Sequence, residues 1–483
     1  MDDILLEPLK AYTDVYEQNF EQNAKAYLDE LVKSSGVDEA LNRQTVERYA
    51  VAAKKNADHR SRLSRLKALN VFCIVIAVIA AVAALIAAFT LSGDSFVPVL
   101  ILILGILLAV ALILVSFLVL KPKIKLAAAD AEASAKEAEG IKAEAWQQMA
   151  PLNSMFEDTA TKQLIEKTVP LLQIDDNFDM RRYDYLRGKY GLGENDDIDS
   201  STIEILSGEI LGNPFVVDRE LVHRHGIETY HGSLVITWTT SYTDSKGNHH
   251  TQTHTQTLHA SVEKPKPFYS ERTRLIYGNE AAPDLHFTHA PSHAERLSEA
   301  QAEKRVRSGA KKIQRRQERA IKDGSSFTEM ANEAFDVFFG ALDRDHEVQF
   351  RLLFTPLAQK NMLELMRSTR GFGDDFTFRK SGCLNYISSE HSASWDMNTA
   401  YSRYASYDLN QIRNNFLSFN RAYFRSLYFD LAPLLSIPLY QQHKPKEYIY
   451  RESYERNYTS YEAECAVNRV GVNAFPIDGA ATR

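Results

Sequence analysis

The fold of this 483-residue chain is decided by VFCIVIAVIAAVAALIAAFTL at residues 71–91 and VPVLILILGILLAVALILVSFLVL at residues 97–120. Neither segment contains Asp, Glu, Lys, Arg or His, and only SGDSF at residues 92–96 separates them. As helices they would each rise at least about 30 Å, the thickness of a bilayer's hydrocarbon core. Core helices of a soluble protein are the alternative, but these rarely stay apolar on every face for so long. The sequence therefore predicts a membrane protein with a transmembrane hairpin of two helices.

Positive charges flanking the two spans predict the orientation of the hairpin. They precede the first span and follow the second, and the loop between the spans has none. Because Lys and Arg concentrate on the cytosolic side, we expect the lipid bilayer to be crossed twice with both termini in the cytosol. In a bacterium this bilayer would be the plasma membrane. The flanking residues are Arg60, Arg62, Arg65, Lys67, Lys121, Lys123 and Lys125.

Small residues predict where the two spans touch. Ala80, Ala84 and Ala88 recur every four residues in the first span, and Gly105 and Ala109 repeat this interval in the second. Such residues let helix backbones approach closely in lipid. Charged side chains that could line an ion or substrate path are missing from both spans, so the hairpin is interpreted as an anchor rather than a transporter.

Helical sequence flanks the hairpin on both sides. Residues 1–70 are predicted to form an N-terminal helical segment, and residues 121–170, rich in Ala, Glu and Lys, a helical stalk. Pro122 should bend or restart the helix after the second span. The flanking helices could pack as antiparallel neighbours within one chain, or pair between chains to form a homo-oligomer. A weak seam for either arrangement consists of Ala128, Ala131, Ala135 and Ala138.

Residues 171–292 form a predicted β region, and ten of the fourteen histidines fall between His223 and His293. Alternation over Ser233–Thr243 and His250–Val262, around the turn DSKGN, predicts an antiparallel β-hairpin. A third strand over Phe268–Tyr277 is expected after a break at Lys264–Pro267. His223 and His225 would share one strand face, so a divalent metal bound by them and by His254 is one hypothesis. The alternative is that these histidines are polar strand residues with no common centre.

A basic helix begins the last predicted region, residues 293–483, interpreted as an α+β domain with an aromatic core. It could contact a membrane surface with anionic lipid, or a protein partner. The alternative is a solvated face, and a net charge of −7 with a pI near 6.1 argues against nucleic acid as the partner. The basic residues are Lys304, Arg305, Arg307, Lys311, Lys312, Arg315, Arg316 and Arg319.

Beyond this helix, alternation and capping patterns predict further elements. SFTE at residues 326–329 has the form of a capping box that opens a helix. Residues 348–354 alternate and predict a strand, and a second strand is expected over Phe376–Ile387. The acidic turn at Gly371–Asp375 is expected to face solvent. His391, near Glu390 and Asp396 in sequence, is an acid/base candidate by composition alone.

The sequence lacks the common nucleotide-binding and nucleophile motifs GxxxxGK[ST], GxGxxG and GxSxG. The leading hypothesis is therefore a membrane-anchored cytosolic scaffold or interaction protein. The second hypothesis is a membrane-tethered, metal-dependent enzyme or sensor that uses the histidines.

Overall fold

The computed structural model describes residues 5–90, 97–193, 200–243, 249–393, 395–443 and 460–470. The loop at residues 92–96 and the turn at residues 244–248 lie outside the described residues. Contacts divide the chain into two units. The helical unit comprises Ala24–Asp158 and Ala400–Phe419, and the sheet unit comprises Met1–Asn23, Thr159–Thr399 and Asn420–Arg483.

The helices and strands are numbered in chain order. The helices are α1 (Pro8–Ala11), α2 (Glu17–Ser35), α3 (Glu39–Thr90), α4 (Val97–Leu114), α5 (Lys121–Asn153), α6 (Ala160–Thr168), α7 (Met180–Tyr190), α8 (Glu299–Asp323), α9 (Glu333–Phe339), α10 (Glu347–Leu353), α11 (Pro356–Arg367), α12 (Leu409–Leu435) and α13 (Ser460–Val470). The strands are β1 (Leu172–Ile174), β2 (Ser200–Ile210), β3 (Asn213–Thr243), β4 (His249–Gly278), β5 (His286–His289), β6 (Phe376–Ser381) and β7 (Leu384–Ser389).

In the helical unit, the polar half of α3 packs antiparallel against α5. Lys55 pairs with Glu137 at 3.0 Å and Arg48 with Glu144 at 3.4 Å. The seam of α5 includes the predicted Ala131 and Ala138, but its other positions fall one residue earlier than predicted. The structure thus favours neighbours within one chain. The small buried residues of this seam are Ala127, Ala131, Ser134, Ala138 and Ala145.

Two helices of this unit are long and apolar enough to cross a membrane. The first apolar stretch ends α3, and the second runs through α4 and a π-helical turn at Val115–Leu120 into α5. Pro122 lies in the first turn of α5. The backbone stays helical through Leu120 and Lys121, so the predicted restart appears only as a change from π-helical to α-helical hydrogen bonding.

The two apolar stretches touch through the small residues that the sequence picked out. Ala84 and Ala109 are buried. A Cβ atom added at Gly105 would overlap the Cβ of Ala84 and lie 3.3 Å from the carbonyl oxygen of Ala80. Nearby, the hydroxyl of Ser116 donates to the side-chain oxygen of Asn70 at 2.5 Å. Among these residues, Gly105 is therefore the position at which the two helices come closest to each other.

The sheet unit is built on seven strands in the order β1-β2-β3-β4-β7-β6-β5, each antiparallel to its neighbours. The inner end of β3 is buried, with Phe215, Val216 and Val217 inaccessible to solvent. Arg274 on β4 bonds Asp218 at 2.6 Å, and Arg272 bonds Glu220 at 2.6 Å. These cross-strand ion pairs hold β3 and β4 together where they leave the core.

The strands β3 and β4 continue far beyond the rest of the sheet. They contain 31 and 30 residues and remain paired in one register from Phe215–Tyr277 to Thr243–His249. At about 3.3 Å per residue each strand is roughly 100 Å long, whereas most strands have fewer than ten residues. We call residues 223–243 and 249–269 the ribbon. The hairpin prediction is confirmed, but its strands are much longer than expected.

The predicted break at Lys264–Pro267 is wrong, because β4 runs through it and includes the predicted third strand. Pro265 pairs with Ile227 and Pro267 with His225. In the described chain β4 has a second neighbour, β7, only at Leu275–Gly278. The prolines therefore lie where the outer edge of β4 has no strand beside it, and proline is tolerated at such an edge.

An aromatic core fills the space beneath β5 and β6. The prediction of a strand at residues 348–354 is wrong: these residues form α10, whose helical spacing buries Phe350, Leu353 and Phe354 and exposes Val348. The SFTE capping box is also wrong, since Asn332 caps the next helix instead. The predicted strand at Phe376–Ile387 is a hairpin that turns at Gly382, where φ is +59°. The core aromatics are Phe287, Phe335, Phe339, Phe350, Phe354 and Phe378.

Replacing Gly105 with leucine should loosen the apolar helix pair. Overpacking a close contact costs about 1–3 kcal/mol, so Gly105→Leu should lower the thermal midpoint of the detergent-solubilised chain. Gly140→Leu on α5 is the matched control, because nothing lies within 4 Å of a Cβ at that position. Differential scanning fluorimetry measures both. An equal midpoint for the two variants would show that the helices do not meet at Gly105.

Candidate functional site

The predicted basic helix is α8. Its start is fixed by a capping box: the hydroxyl of Ser298 accepts from the backbone N–H of Gln301, whose side chain accepts from the N–H of Ser298 at 2.9 Å. It ends at Gly324, which has a φ of +70°. Ala302, Ile313 and Ala320 form the narrow buried stripe. The basic side chains lie on the other faces of α8.

The structure separates the eight predicted basic residues by environment. Arg305 donates to the carbonyl oxygen of Ser292 at 2.9 Å and lies over the ring of Phe338. Arg307 pairs with Glu303 at 3.0 Å. Lys304 and Lys311 are exposed on the helix surface. The other four line a single cavity: Lys312, Arg315, Arg316 and Arg319.

This basic cavity has a volume of about 510 Å³. Phe327 and Leu342 form apolar parts of its wall, and the guanidinium of Arg316 lies 5.1 Å from the ring centre of Phe327. Ser325 contributes a hydroxyl group, and Asp323 is the one carboxylate among the lining residues. Four cations against one carboxylate favour an anionic ligand over a cationic one at this cavity.

The ribbon forms a second candidate surface, because its two faces differ. On one face the side chains of large apolar residues are between 43% and 62% exposed; we call it the apolar face. The opposite face carries mostly Thr, Ser and His, including the pairs Thr237–Thr255 and Thr239–Thr253, and we call it the threonine face. The residues that define the apolar face are Tyr230, Leu234, Trp238, Tyr242, Leu258 and Val262.

Charged residues are almost absent from the outer ribbon, the part beyond Glu228 and Glu263. Between Glu228 and Glu263, Asp244 and Lys246 are the only Asp, Glu, Lys or Arg residues in the sequence. Proteins usually protect exposed strand edges with charges, prolines or bulges. Here the prolines lie at the base of the ribbon, and the paired strands beyond them show no register shift. The outer ribbon therefore lacks the features that normally prevent pairing.

The structure does not bring the three histidines of the predicted metal-binding set together. His223 and His225 are neighbours, with ring centres 4.5 Å apart, but the ring of His223 stacks on Tyr269. His254 lies opposite Trp238, fifteen residues further along the ribbon, which is about 50 Å. Among the described residues no group of three His, Cys, Asp or Glu is placed to hold a metal ion.

The acidic turn at Gly371–Asp375 is buried, not solvent-facing as predicted. Asp374 accepts from His289 at 2.8 Å, and Asp375 lies 2.8 Å from Nδ1 of His391. His391 does not use the carboxylates nearest in sequence; Asp430 on α12 lies 3.6 Å from its Nε2. Sequence reasoning missed these pairs because their partners are distant along the chain.

The surroundings of His391 favour its charged form. Burial opposes a charge here, but the hydrogen bond to Asp375 and the negative charge of Asp430 outweigh it, so the pKa of His391 is raised. Burial also raises the pKa of Asp430. The ring of Phe372 stacks on the imidazole with 3.8 Å between centres. With every ring nitrogen and one ring face occupied, the arrangement is suited to holding α12 against the turn.

Comparisons with known proteins were made for the whole chain. No family model matches it. No curated protein and no solved structure matches it either. The basic cavity and the ribbon are therefore the two candidate sites of this chain.

The raised pKa of His391 predicts a pH-dependent stability. The folded chain holds this proton more tightly than the unfolded chain, so the contribution is complete below about pH 6.5. It is lost as pH rises through the higher folded-state pKa, with a slope of at most about 1.4 kcal/mol per pH unit. His391→Gln should remove this slope from the free energy of unfolding, measured by urea denaturation between pH 6 and 9.

His286→Gln provides the control for this measurement. His286 also contacts an aspartate, Asp345, at 2.8 Å, but on the surface, with 54% of its side chain exposed. This variant should keep the slope of the parent chain. If His391→Gln kept it as well, the buried imidazolium would not be the source.

Proposed function

We propose that this chain is a membrane-anchored scaffold that assembles on the cytosolic side by pairing its ribbon with the ribbon of a second copy. The observation that carries the proposal is the apolar face, which is solvent-exposed over most of the ribbon's length. The anchor, the need for cover on that face and the choice of occupant are argued in turn.

The exposure of the apolar helices supports the anchor. Only 11% of the most apolar window of the first helix and 17% of that of the second is buried, whereas the core helix of a soluble protein would be mostly buried. The large side chains Phe72, Leu85, Leu107 and Leu118 are each more than half exposed. Water is a poor environment for such a surface, and lipid tails are a good one. The positive flanks favour a hairpin with both termini in the cytosol.

The ribbon supports a binding role because two strands alone are marginally stable in water. At its base the ribbon belongs to a sheet, but further out each strand has only the other as a neighbour in the described chain. Leu234 lies opposite Leu258, and Tyr230 opposite Val262, with their side chains half exposed. A partner that packed against the apolar face would remove this apolar surface from water.

A second copy fits this surface better than a different protein. Selective binding between different proteins usually relies on complementary charges, and the outer ribbon has almost none. For the same reason, two copies can approach without like-charge repulsion. Two apolar faces packed about 10 Å apart form an isologous contact, as two stacked sheets do. Anchoring in one membrane would also raise the effective concentration of the copies.

The orientation can be tested by labelling. With Cys73, Cys383 and Cys465 replaced by serine, Ser92→Cys and Thr239→Cys variants are treated with a membrane-impermeant maleimide on intact cells. Thr239→Cys should label only after the cells are opened. Ser92→Cys, in the loop between the spans, should label on intact cells. Labelling of Thr239→Cys on intact cells would exclude a cytosolic ribbon.

Self-association predicts an effect that depends on the face. The full chain in nanodiscs or detergent should be dimeric by native mass spectrometry. Leu234→Glu places a charge in the apolar face and should raise the dissociation constant at least about a hundredfold, since each buried unpaired charge costs several kcal/mol.

Thr239→Glu introduces the same charge on the threonine face and should leave the dimer intact. If the parent chain were monomeric at micromolar concentration, or if both variants dissociated equally, pairing through the apolar face would be excluded. A monomer that binds protein-free vesicles through the ribbon would instead identify lipid as the occupant.

A further inference from the structure

We infer that the basic cavity on α8 binds a ligand with two or more phosphate groups. This inference is independent of the proposed self-association, because its residues lie outside the ribbon. It rests on the arrangement of four cations, on the shape of the cavity and on the fact that no carboxylate among the described residues forms an ion pair with those cations.

The cations are spaced for more than one phosphate. Lys312 and Arg319 are seven residues apart on α8, and this separates their attachment points by about 10 Å along the helix. Arg315 and Arg316 lie between them and face the same cavity. Two or three linked phosphates carry more negative charge over a longer span than one phosphate does, so they match four cations distributed along this length of helix better. Guanidinium groups also bind phosphate oxygens in pairs.

The cavity leaves these cations available. Among the described residues, the ion pairs in this region use Arg307, Arg344 and Arg351, but none of the four cavity cations. Arg316 is positioned over the ring of Phe327. Phe327 itself is buried against Ile313 and Ala320. One cation is therefore already oriented, which lowers the entropy cost of binding.

The ligand chemistry could come from a free polyphosphate or from a phosphorylated lipid headgroup. Inorganic tripolyphosphate is the soluble probe, and phosphatidylinositol bisphosphate in nanodiscs is the lipid probe. The full chain is placed in nanodiscs of phosphatidylcholine alone or with that lipid added, and tripolyphosphate binding is measured by calorimetry. Binding in the neutral nanodiscs supports the inference. Weaker binding when the lipid is present shows that the headgroup occupies the same cavity.

Three variants test the cavity itself. Arg315→Gln with Arg319→Gln should weaken tripolyphosphate binding at least about tenfold, because charge-assisted hydrogen bonds are lost. Lys304→Gln with Lys311→Gln removes the same charge from the same helix outside the cavity, and should change affinity less than about threefold, since exposed charges are screened by salt. Ser325→Trp fills the cavity, keeps every charge and should abolish binding.

These outcomes distinguish binding in the cavity from non-specific attraction to the overall positive charge of α8. Equal loss in both double variants, or full binding by Ser325→Trp, would overturn the inference. No binding of either probe by the parent chain would overturn it as well. Because Ser325 is exposed and outside any helix, its variant remains informative if the double arginine variant fails to fold. None of these outcomes depends on dimerisation, which is measured separately on the same samples.

Discussion

The antiparallel register between β3 and β4 is the constraint on which both the core and the outer surface of the sheet unit depend. At one end it places Phe215 opposite Tyr277, and both are buried. At the other end the same register places Leu234 opposite Leu258 in solvent. Because side chains alternate strictly along a strand, a shift of one residue would turn the apolar side chains of one strand to the face that carries the threonines of the other. The ion pairs of Arg272 and Arg274 with buried carboxylates lie between these ends, where such a shift would leave Asp218 and Glu220 without their partners.

The sequence predicts those parts of the fold that local patterns determine. The two apolar helices, the close contact at Gly105 and the hairpin around DSKGN follow from composition, small-residue spacing and alternation. The length of β4 does not, because Pro265 and Pro267 normally end a strand, and only the absence of a neighbour on their edge makes them acceptable. Residues 348–354 fit both a strand and a helix, since Phe350 and Phe354 are spaced for either. Residues 348–354 form a helix because a helix buries both Phe350 and Phe354 in the aromatic core around Phe287.

The candidate sites divide in the same way. The charge of α8 is visible in the sequence, but the cavity is not, because Phe327 and Leu342 reach it from residues beyond the helix. The buried pairs of Asp374 with His289 and Asp375 with His391 join residues more than fifteen positions apart. The histidines of the metal hypothesis are separated for a related reason: His223 and His254 share a ribbon, but its length keeps them apart. The spacing of residues along a sequence predicts whether they lie on the same face of a strand. Whether they also lie close together in space depends on the strand register.

The two surfaces differ in the physical force that each can use. The apolar face gains free energy from removing hydrocarbon from water, which added salt does not weaken. The basic cavity gains it from charge, which is screened over about 8 Å at physiological ionic strength. Salt therefore acts on one surface and not on the other. If the chain assembles through its nearly uncharged outer ribbon and binds a ligand at its four-cation cavity, as proposed, the assembly can persist while the occupancy of the cavity varies. This separation is the property expected of a scaffold that recruits a phosphorylated ligand to a stable assembly.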